Sequence, residues 1–260
     1  MNKNGHFTNS AILSKVPQVT FAFWVIKICA TTLGETGGDA LSMSLNLGYA
    51  ISTAIFFAIF VGTVAAQVRA RSYHAFLYWA VIVATTTVGT TMSDYLTRTA
   101  GLGYLKSSIL LFAMVLGVLC LWRLILGSVS VNRISDRKAE TFYWVTILFS
   151  NTLGTALGDC LADTSGLGYM GGALVFAGGL ALIAAAYFWS NISHTALFWM
   201  AFILTRPLGA TVGDLLTKPH DHGGLNLSRI TSSLIIAAFI VVCILLTSQK
   251  AGSHPASDDA

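Results

Sequence analysis

Charge is what this chain has least of. Asp, Glu, Lys and Arg make up 10% of its 260 residues, against roughly 25% in a soluble domain. So little charge excludes a water-soluble globule, and with it a soluble nucleotide-binding module of the kind ATP-driven pumping needs. The hydrophobic share of 55% and mean hydropathy of +0.71 are those of an integral membrane protein. Cysteine is scarce as well. Cys29, Cys120, Cys160 and Cys243 show no paired spacing, so a disulfide frame or thiolate metal site is not expected, and they read as small apolar packing residues. Catalytic signatures are also missing: no serine–histidine–aspartate set, metalloprotease helix motif or phosphate-binding glycine loop is present, so the chain is not expected to be an enzyme. The N-terminus lacks a short charged region followed by a cleavable apolar core, so the first helix is expected to be retained.

What the chain does have is apolar sequence, cut by short polar breaks into eight segments: 17–40, 47–67, 74–96, 103–126, 140–161, 168–190, 194–216 and 227–248. Each is near the roughly 20 residues that cross a hydrocarbon core. The expected fold is all-α and polytopic, with eight transmembrane helices. Its organisation is a polar tail (1–16), a first half of two hairpins (17–126), a basic connection (127–139), a second half (140–248) and a second polar tail (249–260). Both tails are expected to be poorly ordered.

The net charge of +4 reads as orientation, not nucleic-acid binding. Nine basic residues (Lys3, Lys15, Arg69, Arg71, Arg123, Arg133, Arg137, Lys138, Lys250) share the side of the termini, against four (Arg98, Lys106, Lys218, Arg229) opposite. Under the positive-inside rule this predicts a multi-pass protein with both termini in the cytoplasm.

A ruler runs through the segments. Trp24, Trp79, Trp144 and Trp199 each stand 15 residues before Asp39, Asp94, Asp159 and Asp214, and the pairs advance by 55, 65 and 55 positions. Gly34, Gly89, Gly154 and Gly209 precede the aspartates by five; Leu41, Leu96, Leu161 and Leu216 follow by two. The second segments share a start, Leu47-Gly48-Tyr49, Leu102-Gly103-Tyr104 and Leu167-Gly168-Tyr169, which in the fourth unit becomes His222-Gly223-Gly224. The repeat reads as a helical hairpin of about 55 residues. The ten extra residues of the middle step fall around Val131–Glu140 and divide the chain into two pseudo-symmetric halves; His74 and His194, each five before its tryptophan, mark the second hairpin of each half. Two-span units enter the membrane in one orientation, so the repeats are parallel, about an axis along the membrane normal.

With these registers the chain resembles a family of bacterial integral membrane proteins built from four tandem repeats, each with two transmembrane segments and a characteristic tryptophan. The resemblance covers roughly residues 17–248. The family's function is uncharacterised, so the resemblance implies the architecture and assigns no catalytic or binding residue.

Counting back three, four and seven from each aspartate follows one helix face. It gives Thr36, Glu35 and Thr32; Thr91, Thr90 and Thr87; Ala156, Thr155 and Thr152; and Thr211, Ala210 and Pro207. Small residues four apart (Gly34 with Gly38, Gly89 with Ser93, Gly154 with Gly158, Gly209 with Gly213) permit close helix approach in a membrane. The odd-numbered helices are therefore expected inside, around a narrow polar axis, with the even-numbered ones facing lipid.

The aspartates read either as helix-end residues at the interface or as converging cation or proton ligands. Carboxylates suit the negative end of a helix dipole poorly, which favours convergence. Glu35 breaks the symmetry as an extra carboxylate. Lys27 is expected to snorkel to the cytoplasmic face; Arg206, beside Pro207, is the candidate counter-charge to a neighbouring aspartate. The tryptophans suit an interfacial aromatic belt, and Tyr49, Tyr104 and Tyr169 mark a short structured connection. His220-Asp221-His222 reads as a hydrophilic turn or a metal approach site, and His74 and His194 as structural.

The function expected is transport of a small cation through a Thr/Asp-lined site. Oxygen ligands suit hard divalent ions, with Mn2+ tried before Mg2+, exchanged for protons and exported. No cofactor is expected beyond such an ion as substrate, and the partners expected are the bilayer and that cation. The alternatives are a carrier of a small organic anion or zwitterion built on Arg206, Lys27 and the tyrosines, and a non-transporting scaffold.

Overall fold

A computed structural model describes residues 15–70, 72–127 and 137–251, without the side chains of Arg137 and Thr195. The expectations for most of both tails and of the basic connection fall outside these residues. The described chain forms eight α-helices: α1 (Phe21–Asp39), α2 (Gly48–Arg69), α3 (Ala75–Asp94), α4 (Gly103–Leu126), α5 (Arg137–Thr164), α6 (Gly168–Trp189), α7 (His194–Thr217) and α8 (Arg229–Leu246). Seven are long and apolar enough to span a membrane, α1 being the exception. In its 19 residues α1 carries Lys27, Glu35 and Asp39, and all three are buried by neighbouring helices instead of facing lipid. The protein is a polytopic, all-helical membrane protein.

The inner helices do not stop at their aspartates. A π-helical turn continues α1 over Ala40–Ser44 and α3 over Tyr95–Thr99, while α5 and α7 run on to Thr164 and Thr217. No side-chain cap is made by Asp39 or Asp94. The helix-end reading of the aspartates therefore fails; they lie about a turn inside, and the two π turns sit where such turns commonly mark function. The hairpin connections owe their fixed length to paired left-handed residues, Asn46 and Gly48, Gly101 and Gly103, Gly166 and Gly168, all at positive φ. Glycine, or asparagine with its short side chain, adopts that conformation at little cost.

α1, α3, α5 and α7 close into a ring, α7 packing back against α1. Outside it, α2 packs on α3, α4 on α5, α6 on α7, and α8 on α1, whereas within a repeat the two helices meet mainly at the π turns after α1 and α3 and more lightly along α5 and α6. The repeat is thus not the self-contained hairpin its sequence suggests. Each second helix crosses to the inner helix of the next repeat, and α8 completes the cycle.

Glycine sets the ring's closeness. A methyl group on Gly34 would strike Thr86, on Gly89 the backbone of Asn151 and Thr152, on Gly154 Arg206, and on Gly209 Thr31. Gly38 likewise faces Thr90, Gly158 faces Ala210 and Gly213 faces Glu35. Both sets of contacts advance in the same direction, so all four inner helices run parallel. Lipid supplies no hydrophobic drive between helices, so such backbone proximity is what holds them together. The outer helices expose apolar side chains, Leu124, Leu182 and Leu246 among them, a surface suited to a bilayer.

Candidate functional site

The ring's interior is a stack of layers, each made of one repeat position. At the N-terminal end of the inner helices an aromatic residue precedes every tryptophan, forming an edge-on pair with it: Phe23–Trp24, Tyr78–Trp79, Tyr143–Trp144 and Phe198–Trp199. The pairs interlock between repeats, Phe23 on Trp79, Tyr78 on Trp144 and Phe198 on Trp24, with centroids 5.5, 6.4 and 5.7 Å apart. Trp79 and Trp144 are buried and Trp24 and Trp199 partly so, so the tryptophans form a seal inside the bundle, not the interfacial belt expected. Their intermeshing came from residues that the spacing of tryptophans alone does not weigh.

Lys27 lies in the next layer, with Ile82, Ile147 and Phe202 at the equivalent positions. It does not snorkel: it is fully buried, its Nζ 4.0 Å from the Phe202 ring centroid and without a hydrogen-bond partner. The following layer is Thr31, Thr86, Asn151 and Arg206. Thr31 donates to the Thr205 carbonyl and Thr86 to the Ala30 carbonyl, both at 3.1 Å, and the Asn151 amide donates to Thr85 Oγ1 at 3.1 Å. Three members thus stitch neighbouring inner helices, and the fourth, Arg206, turns into the axis.

There it meets the layer of Glu35, Thr90, Thr155 and Ala210. The Arg206 guanidinium donates to Glu35 Oε2 from both terminal nitrogens at 3.4 Å, to Thr90 Oγ1 at 2.6 Å, to the Thr86 carbonyl at 3.3 Å and to Thr155 Oγ1. Thr90 also donates to Glu35 Oε2, at 3.0 Å. Arg206 is a counter-charge, as expected; its salt bridge is to Glu35, with Asp159 and Asp94 within longer electrostatic reach. Ala210, one turn along its own helix, leaves the space that the long side chain fills. The remaining stripe residues contribute less to the axis. Thr32, Thr87 and Thr152 donate to carbonyls of their own helices, as does Thr91; Thr36 accepts from Ser233 of α8 at 2.9 Å, and Thr211 packs on Gly172 of α6.

The aspartates form the last layer, each at most 2% exposed. Lys218 Nζ lies 2.9 Å from Asp39 and 3.0 Å from Asp214, Arg98 Nε lies 3.0 Å from Asp94, and Arg229 approaches Asp39 at 3.5 Å. Arg98 and Lys218 each stand four residues after the aspartate on their own helix, a spacing readable as an ion pair; Arg229, from α8, carries no such signal. Asp94 Oδ1 and Asp214 Oδ1 are reached by charge without hydrogen-bond alignment. Asp159 differs from the rest. Among the described residues it has neither a salt-bridge nor a hydrogen-bond partner, and its Oδ1 is completely buried.

Two groups of carboxylate oxygens lie within 4.8 Å of one another: Glu35 with Asp159 and Asp214, and Glu35 with Asp39 and Asp94. All five predicted acids thus come together, with Glu35 common to both triads. The histidines take no part in either triad. His220 bonds the Gly224 carbonyl at 2.9 Å and His222 lies 3.9 Å from Asp221 in an exposed turn. His74 is paired with Ser72, and His194 stacks on Tyr187. Tyr49 is within electrostatic reach of Asp94 and Arg98, and Tyr169 of Asp214, Asp163 and Lys218; Tyr169 also bonds Asp163, to whose Oδ2 the Tyr104 hydroxyl donates.

No curated protein and no solved structure matches the chain. A family model described as a repeat of unknown function (DUF347) matches four times, at residues 22–73, 77–125, 142–193 and 197–250. Each match holds one inner helix, its aromatic pair and its aspartate, and the following outer helix. The chain belongs to this family of tandem repeats.

Proposed function

We propose that the protein carries a small hard cation across the membrane in exchange for protons, binding it at Glu35, Asp159 and Asp214, with Mn2+ the first ion to test. Asp159 carries this reading. Among the described residues Asp159 makes no salt bridge or hydrogen bond, with Arg98 and Arg206 only within longer electrostatic reach. A buried carboxylate so placed is favoured as the neutral acid or with a positive ion bound. Those two states are the two halves of a proton–cation exchange. The neighbouring oxygens of Glu35 and Asp214 supply further hard ligands of the kind divalent Mg2+ and Mn2+ prefer. Arg206 holds Glu35 in charge balance when no cation is present.

The inner membrane with cytoplasmic termini is the location this reading adopts, from the nine-to-four distribution of basic residues. The described ends of both tails lie together, Pro17 pairing with Ala251, so they share one side. Export is the direction adopted, with the cation leaving from the aspartate end; an exchanger follows its gradients, so reversing them drives uptake through the same end. A carrier of organic anions built on Arg206 fits less well, since its terminal nitrogens already serve Glu35, Thr86, Thr90 and Thr155.

The test is reconstitution into vesicles with a panel of cations, with and without a pH gradient. Uptake of Mn2+ driven by the gradient, lost in Asp159→Asn with expression intact, is the expected result. Indifference of the wild-type chain to every divalent ion would transfer the assignment to an organic-solute carrier or a scaffold.

A further inference from the structure

We propose that the cation passes between the buried triad and the aspartate end of the ring along α5, over Asp163, which lies one helical turn beyond Asp159. This inference rests on the cation reading above and adds the route.

The position four residues after each aspartate is Met43, Arg98, Asp163 or Lys218. In two quarters of the ring it is basic and turns back onto the aspartate below, Arg98 to Asp94 and Lys218 to Asp214. In the α1 quarter it is the neutral Met43, and Arg229 of α8 approaches Asp39 in its place. Only in the α5 quarter is it an acid. Asp163 is exposed, whereas Asp159, about 5–6 Å away along the same helix face, is buried with an oxygen that nothing in the described structure satisfies.

The tyrosines follow the same pattern. Each belongs to the outer helix of the preceding repeat, and two of them reach Asp163: Tyr104 donates to it, and Tyr169 bonds it while lying within electrostatic reach of Lys218, whereas Tyr49 lies within reach of Arg98. The fourth repeat has Gly224 at the corresponding position, and the residue it would meet is the apolar Met43. Tyr104 and Tyr169 thus hold Asp163 by hydrogen bonds from neutral phenols, which leave its charge available. A divalent ion approaching this end is repelled at Arg98, Lys218 and Arg229 and attracted at Asp163, and a focused field of this kind raises association rates. The basic residues therefore serve two purposes. They neutralise three of the aspartates, and they leave one quarter through which a cation can pass to the fourth.

The experiment uses the full chain in lipid nanodiscs and vesicles with Mn2+ as the probe. Asp163→Asn is expected to slow uptake at subsaturating Mn2+ by about tenfold, with the maximal rate and the amount of Mn2+ bound at saturation unchanged. The loss should shrink at high ionic strength. Asp221→Asn, which removes an exposed charge from the loop after α7, is the control and should match the wild type. Asp163→Lys copies the Asp214–Lys218 arrangement onto Asp159; it should abolish Mn2+ binding and raise Tm. Equal subsaturating uptake by Asp163→Asn and Asp221→Asn, or wild-type Mn2+ binding by Asp163→Lys, overturns the route and leaves the cation reading standing. Failure of the wild-type chain to bind Mn2+ overturns both.

Discussion

At the tryptophan end of the ring each inner helix contributes an aromatic pair, and the pairs interlock from repeat to repeat. At the aspartate end each contributes a carboxylate, and the four receive different treatment: a lysine shared by two, an arginine on the same helix for a third, an outer-helix arginine added to Asp39, and no partner for Asp159. Aromatic contacts can be repeated around an axis because each adds attraction. Repeating a buried negative charge adds repulsion and desolvation at every step, so it can persist only where positive charge is distributed against it. The departure from symmetry at the aspartate end therefore follows from its chemistry, and the quarter whose aspartate lacks a salt bridge is the one the proposed cation would use.

Perturbing each end separately should separate stability from binding. The largest effect is expected from Arg206→Met, which leaves Glu35 buried without its cation and should cost about 4 kcal/mol. Thermal unfolding in detergent measures it, and Glu35→Gln in the same chain should restore most of the loss. Next is the tryptophan end, where Trp79→Ala opens a cavity worth about 3 kcal/mol while Mn2+ affinity measured in nanodiscs stays at the wild-type value. Loss of affinity there would mean that the two ends are coupled. Gly34→Ala follows, at about 2 kcal/mol, because its methyl group would meet the Thr86 side chain and backbone in the seam joining both ends. Gly62→Ala, with nothing within 4 Å, is the neutral comparison. Smallest is Thr36→Ala, which removes one interhelical hydrogen bond to Ser233 and should cost about 0.6 kcal/mol.

Much of this was legible in the chain. Eight apolar segments and a ruler of Trp, Gly and Asp sufficed for eight helices, four parallel repeats and the convergence of Glu35 with the aspartates, because inner helices in equal registers put equal positions in equal layers. Two kinds of feature were not. The crossing of each outer helix to the next repeat depends on packing between elements about which the spacing within one repeat is silent. The partner of Arg206 depends on side-chain reach across the axis, which made Glu35 as available as any aspartate. The aromatic seal and the Arg98 and Lys218 ion pairs fall between these cases. The residue before each tryptophan and the residue four after each aspartate carry the signal, and both become informative only when read as columns across the four repeats.

Under the cation reading Asp159, and not the acidic layer as a whole, holds the ion. Mn2+ binding to the purified chain in nanodiscs tests it most directly, comparing Asp159→Asn with Asp94→Asn, which removes a carboxylate already paired with Arg98. Asp159→Asn is expected to eliminate the bound ion and Asp94→Asn to retain it. Retention by Asp159→Asn together with loss in Asp94→Asn would contradict that reading.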